Sequence, residues 1–280
     1  MFARKILSPL IFLVWGVNVA AQPLEVIDVQ IPSHQILLAG SIVLPTDQPA
    51  VAAVVFVHGS GKQPRSLSLA QHFAGNGIAA LVYDKRGVGE SGGVYESKQS
   101  VSEKNLQLLA ADAAAALAVL QQHPATQDLP LGLTGISQAG WIVPLAAEKS
   151  PRLNFMLLWS GPVCKVSEED IFSKYTADLD SKKIPSFRQA LQARKRPYQW
   201  PDFLGRDINP SDSLSKLNIP GLWIFGAQDG SVPVDLSIDR LQEHIASGHP
   251  YEYVLYSGEG HNNIPGTIAG AIDWIKRQNR

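Results

Sequence analysis

The pentapeptide Gly135-Ile136-Ser137-Gln138-Ala139 joins a hydroxyl to the small neighbours that a sharp turn demands. A serine placed between a strand and a helix sits on such a turn, which pushes its hydroxyl out above the sheet. The fifth position is Ala139, with Gly140 directly after it, where the pattern usually has glycine. The plainer role for Ser137 is a helix N-cap. Serine at its free pKa is a weak nucleophile and needs a base that is itself oriented. His261, in Gly258-Glu259-Gly260-His261-Asn262, offers that base, and the glycines give its loop freedom to turn the imidazole inward. A carboxylate bonded to the other ring nitrogen would stabilise the imidazolium formed during attack. Asp229 suits that part, with Asp84 as its main rival and a turn or cap aspartate as the ordinary reading. The remaining histidines His34, His72, His123, His244 and His249 fall in turns or at helix ends, where exposure explains them.

A nucleophilic attack also needs donors aimed at the charge that develops. Val57-His58-Gly59-Ser60-Gly61 can bring backbone close to a substrate, so the Ser60 amide is one candidate donor. The second is the amide of Gln138, at the start of the helix after the serine. His58 reads as structural, because His261 already fills the base role. Cys164 is the one cysteine, which excludes an intramolecular disulfide, and no motif around it marks it as a nucleophile.

These residues must be positioned by regular elements. Eight strands are expected: 25–31, 35–44, 51–57, 78–83, 129–136, 153–159, 221–225 and 251–256. The first two are joined by a tight turn near Pro32-Ser33-His34. The Val-rich run 51–57 reads as a strand buried on both faces. Helices are expected over 63–74, from Ser102 to His123-Pro124, and over 138–148, 234–246 and 268–277. The second of these repeats Leu106, Leu109, Ala113, Ala116 and Leu120 at helical spacing. Strands alternating with helices imply βαβ units and a mainly parallel sheet, with ligands beyond the carboxyl ends of the strands. Ser60, Gln138, Asp229 and His261 all lie just past such ends. Between about 162 and 217 the rhythm breaks. A helix start at Ser167 and a second helix over 187–194 are expected there, among the aromatics Phe172, Tyr175, Phe187, Tyr198, Trp200 and Phe203.

The chain has 280 residues and a net charge of −1, which gives no reason to expect nucleic acid as partner. Arg194-Lys195-Arg196 reads as a solvated helix face. At the N-terminus Arg4-Lys5, the apolar run 6–17 and Val19-Ala20-Ala21 form a signal-peptide pattern over residues 1–21, with cleavage before Gln22. Pro9, Asn18 and the shortness of the run argue against a retained membrane anchor. An exported protein, periplasmic or extracellular, is expected, with no stable membrane span after cleavage.

The segments HGSG (58–61), YDKRGVGES (83–91), GISQAG (135–140), GAQDGSVP (226–233) and GEGH (258–261) together resemble the α/β-hydrolase family. The nearest branch is that of exported esterases and serine peptidase-like hydrolases carrying D-K-R-G-x-G-x-S. The resemblance covers about residues 25–161 and 219–280. It implies an α/β-hydrolase fold: a mainly parallel eight-stranded sheet flanked by helices, with a small helical cap inserted at about 162–217. It further implies a Ser-His-Asp hydrolase without metal or organic cofactor, whose pattern falls on Ser137, Asp229 and His261; the chain order Ser, Asp, His agrees. Asp84, Lys85 and Arg86 would then hold the loop after their strand. The substrate expected is a small-molecule ester, with peptide or thioester cleavage by the same residues as the alternative. A binding protein on an inactive scaffold is the rival from another class. The cap aromatics could line an apolar pocket or form the cap's own small core.

Overall fold

A computed structural model describes residues 23–98 and 100–278. The expected signal segment lies outside these. The sheet has eight strands: β1 (Leu24–Ser33), β2 (Ile36–Pro45), β3 (Ala52–Val57), β4 (Ile78–Tyr83), β5 (Leu131–Ile136), β6 (Phe155–Trp159), β7 (Gly221–Gly226) and β8 (Tyr251–Tyr256). Their spatial order is β1-β2-β4-β3-β5-β6-β7-β8. β2 is antiparallel to both β1 and β4, and every later pair is parallel.

The helices are α1 (Leu67–Ala74), α2 (Glu103–Gln122), α3 (Ala139–Ala147), α4 (Val166–Thr176), α5 (Phe187–Gln192), α6 (Ser211–Leu214), α7 (Val234–Ala246) and α8 (Ile264–Arg277). Strand side chains alternate between two faces, so each central strand feeds two cores. Ala53, Val55 and Val57 of β3 pack with α2 and α3, while Ala52, Val54 and Phe56 pack with α1 and α8. Burial on both faces is why these strands read as unbroken apolar runs. All five stripe residues of α2 are buried, and Ser102 caps it by accepting from the Asn105 amide.

The chain departs from β3 to β4 on one side and returns to β5 on the other. The reversal makes the β3–β5 boundary the switch point, where a crevice opens beyond the strand ends. The loops carrying Ser60 and Ser137 flank it.

Several boundaries differ from the sequence reading for local reasons. α1 starts at Leu67 rather than near Gln63, because the backbone before it is tied elsewhere: the Gln63 carbonyl accepts from Lys85 and the Arg65 amide donates to Asp84. α4 starts at Val166, with Lys165 in the cap position; the Ser167 amide and hydroxyl both donate to Asp207 instead. α8 starts four residues early, with Pro265 in its first turn, a position where proline loses no helical bond.

Between β6 and β7 the chain leaves the sheet, as α4, α5, a single 3-10 turn (Asp202–Leu204) and α6. Ile171, Phe172 and Ala190 form a small separate core there, with Ile184, Phe187 and Tyr198 packed against it. Trp200 packs on the main core, while Tyr175 and Phe203 are exposed. Three of the six aromatics therefore serve the insertion's own packing.

Candidate active site

Ser137 leaves β5 with φ of +57°, in the left-handed region where a side chain is strained. Such a conformation costs on the order of 1–3 kcal/mol and must be held by its surroundings. The Ser137 amide donates to the Trp159 carbonyl at 3.0 Å, and its own carbonyl accepts from Gly140 at 2.8 Å. A Cβ on Gly135 would lie 2.5 Å from both the Val57 carbonyl and the Ala139 methyl. Only glycine fits there. The second glycine is displaced by one residue for a visible reason. Ala139 is buried without obstruction, whereas a Cβ on Gly140 would stand 2.5 Å from Pro162, where the chain passes out of the sheet.

His261 and Asp229 come together beyond the ends of β8 and β7. His261 Nδ1 lies 2.9 Å from Asp229 Oδ2. The other Asp229 oxygen accepts from the Ser231 and Val232 amides at 2.8 and 2.9 Å. Asp229 is fully buried, and a proton on Nδ1 satisfies this hydrogen bond while leaving Nε2 as the nitrogen free to act as a base. Burial works to lower the His261 pKa, but the Asp229 hydrogen bond and charge outweigh it, with Asp180 and Asp178 adding to the rise.

Asp84, the rival carboxylate, is placed elsewhere. It accepts from the Arg65 and Glu90 amides and pairs with the Arg65 guanidinium, which holds the loop after β4. Arg86 pairs with Asp112 of α2 inside the protein. His58 packs edge-on against Tyr83, and burial, followed by the Lys85 charge, pushes its pKa down to about 4. It is uncharged at neutral pH. Cys164 is buried, and burial holds its thiol well above the usual range, so it offers no thiolate.

The Ser60 loop runs beside the serine turn: a Cβ on Gly59 would lie 3.1 Å from the Ile136 carbonyl. Ser60 is exposed and Gln138 buried, and neither backbone amide is used in a hydrogen bond among the described residues.

One part of the site carried no motif. Asp180, from the insertion, accepts from the Gly230 amide at 2.9 Å and from the His261 amide at 3.0 Å. One carboxylate thus spans the two loops that hold Asp229 and His261. Thr176 donates its hydroxyl to the Gly230 carbonyl, and the Ser181 amide donates to Gln228 at 2.9 Å. The two glycines flanking the pair are the trace this leaves in the sequence. A Cβ on Gly260 would overlap the Asp180 carboxylate, and one on Gly230 the Leu179 carbonyl. Gly260 and Gly258 do not take positive φ, so close approach rather than freedom to turn explains Gly260.

Among the described residues no helix is long and apolar enough to cross a membrane, and no cluster of ligating side chains could hold a metal ion.

A doubly wound sheet with a strained serine turn beyond β5, and an Asp-His pair beyond β7 and β8, defines an α/β hydrolase. The chain belongs to the hydrolase family described as "Serine aminopeptidase, S33", whose model matches residues 48–214. Curated proteins give no match by sequence. Among solved structures, an esterase from Pyrococcus furiosus shares 17% identity with a TM-score of 0.66, over 96% of this chain and 95% of that one. Acetyl xylan esterase from Paenibacillus sp. R4 shares 17% at a TM-score of 0.67, over 94% and 86%. Pyrococcus horikoshii acylaminoacyl peptidase shares 18% at 0.64, over 94% of this chain and 40% of the peptidase. At these identities the likeness is one of fold.

Proposed function

We propose that the protein is a serine hydrolase that cleaves carboxylic esters through an acyl-enzyme, with Ser137 as nucleophile, His261 as general base and Asp229 as its orienting carboxylate. The observation that carries this reading is the His261–Asp229 hydrogen bond, beyond the same carboxyl ends of the parallel strands from which the strained Ser137 turn emerges.

In the first step Ser137 Oγ bonds to the ester carbonyl carbon and its proton passes to His261 Nε2. The electron pair of the C=O bond moves to oxygen, where the Ser60 and Gln138 amides receive the charge. Losing one such donor typically costs about 2.7–4 kcal/mol of transition-state stabilisation. As the tetrahedral centre collapses, the C–O bond to the alcohol breaks and His261 returns its proton to that leaving oxygen. Water then repeats the sequence on the acyl-serine, releasing the acid and restoring the Ser137 hydroxyl.

Cleavage of an aminoacyl amide by the same residues is the second reading, favoured by the family description. Amide cleavage demands protonation of a poorer leaving group, so the two separate by rate. A p-nitrophenyl ester chain-length series and a set of aminoacyl p-nitroanilides, run beside fluorophosphonate labelling, test both. Ester turnover with the label on Ser137 is expected. Turnover of the anilides alone would move the reading to a peptidase, and a folded sample that takes no label would end the hydrolase reading. We further propose that residues 1–21 export the protein and are removed. The mass of the protein recovered after export would begin at Gln22; a mass including residues 1–21 would refute it.

A further inference from the structure

Lys85 follows β4 and is 3% exposed. An ammonium taken out of water is expensive to keep charged unless it is paired, yet no carboxylate pairs with it among the described residues. Its neighbour Asp84 is occupied by Arg65 and the Glu90 amide. Instead Lys85 Nζ donates to the Gly59 carbonyl at 2.7 Å and to Gln138 Oε1 at 3.0 Å, with the Tyr95 ring 5.9 Å away. The Gly59 carbonyl is one pole of the planar trans peptide whose other pole is the Ser60 N–H. Gln138 carries the second amide, and its side chain is fixed further by donating to the Ser100 carbonyl at 3.0 Å. A single buried lysine therefore bonds both the carbonyl of the peptide that carries the Ser60 amide and the side chain of Gln138.

We propose that Lys85 is the positioning residue of the oxyanion hole, holding the Ser60 and Gln138 amides in register and lending its unpaired charge to the oxyanion. The proposal rests on the donor assignment made above. A cation on the carbonyl oxygen fixes the peptide plane with its N–H directed the opposite way. It also polarises the peptide, and hydrogen bonds in such a chain strengthen one another. Because the ammonium lacks a counter-ion until negative charge develops on the substrate, its attraction is greater for the transition state than for the neutral ester. That difference raises kcat rather than lowering KM.

Few charges face Lys85. Neutral His58 lies on the β3 side, the Arg65–Asp84 pair and Arg86 flank its own loop, and Lys62 shares the Tyr95 ring at 5.7 Å. The α3 side contributes uncharged Gln138. Burial pushes the Lys85 pKa down to about 8, so its charge is lost within a workable assay range.

The test compares the wild-type protein with Lys85→Met, which keeps an unbranched side chain one atom shorter and removes its charge. Loss of a positioned oxyanion donor guides the expectation: kcat for a p-nitrophenyl ester falls about 10- to 100-fold with KM nearly unchanged. An alkyl trifluoromethyl ketone, which Ser137 converts to an oxyanionic adduct, should lose inhibition in proportion. Wild-type kcat/KM should decline with a basic limb near pH 8 that is missing from the variant. A folded variant with wild-type kcat and wild-type inhibition overturns the proposal. So does a wild-type profile that stays flat to about pH 10, near the ordinary lysine value, and that measurement stands even if the variant does not fold. Failure of the hydrolase reading looks different, since the wild-type protein would then show no label on Ser137 and no turnover.

Discussion

The two sides of Ser137 are held by different means. On one side the loops after β3 and β5 carry Ser60 and Gln138, and contacts among the sheet's own connections fix them. Gly59 lies against the Ile136 carbonyl, and Lys85, after β4, reaches both loops. On the other side the loops after β7 and β8 carry Asp229 and His261, and their common anchor is Asp180, a residue of the insertion. For the His261 loop, strand position accounts for the contrast. β3 and β5 are central and packed on both faces, so their loops rise from rigid ground. β8 is an edge strand, and its side chains from Glu252 to Tyr256 are only partly buried or exposed. A loop from such an edge has little beneath it and takes its support from outside the sheet.

The largest effect should come from breaking either side at its centre. Ser137→Ala should remove nearly all ester turnover while leaving the unfolding midpoint close to wild type. Asp229→Asn should lower kcat about 10⁴-fold by favouring the wrong imidazole tautomer. A folded Ser137→Ala protein with substantial turnover would sink the proposed mechanism.

Next in size is the anchor. Asp180→Asn keeps an acceptor for one of the two amides and removes the charge, so two losses coincide. Misplacing a catalytic group by about 1 Å can cost on the order of 100-fold, and a partial loosening should cost tenfold or more in kcat. The pH profile separates this from general damage. His261 must be neutral to accept a proton, and Asp180 helps to raise its pKa. Removing that charge should move the acid limb of kcat/KM to lower pH even as the rate falls. An unmoved limb would reduce Asp180 to packing.

That contrast explains what could be read in advance. The eight strands, the α2 stripe and the boundaries of β4, α7 and β8 follow from apolar periodicity, because buried strands and one-sided helices leave repeating patterns. Ser137, Asp229 and His261 stand within two residues of glycines past strand ends, and those motifs are local. Asp180 acts across 50 residues to Gly230 and 81 to His261, and no spacing rule reaches that far. The insertion is also short of regular structure. Ala177 and Asp178 both take positive φ, so neither helical nor strand periodicity could place Asp180. Only Gly230 and Gly260 hinted at a close neighbour, without saying which.

A smaller effect tests whether the serine side is independent of the insertion. Gly140 meets Pro162, where the departing chain presses on the serine turn. Gly140→Ala should overpack this contact and destabilise the protein by about 1–3 kcal/mol, read as a lower denaturation midpoint. If the strained turn depends on that contact, kcat should fall as well. Unchanged stability would mean that Pro162 yields and the displaced glycine has another cause.

The smallest effect is expected where the insertion touches the sheet domain away from the Asp-His pair. Arg206 binds Glu103, at the start of α2, through its amide at 2.9 Å and its guanidinium at 2.6 Å. The guanidinium is exposed, so solvent and salt screen the pair and little stability should rest on it. Hydrogen bonds from the Arg206 amide and side chain hold the Glu103 carboxyl below its ordinary range. The sign follows: whatever stability the pair lends is present above the unfolded carboxylate pKa and is lost as pH falls through the lower folded value. Arg206→Ala should therefore lower Tm slightly at neutral pH and low salt, with the difference shrinking in acid and in high salt. Because this contact bears on neither the Ser60 loop nor the Asp180 anchor, kcat should stay at the wild-type value. A kcat loss rivalling that of Asp180→Asn would mean that the insertion supports the whole site, and the division between its two sides would fail.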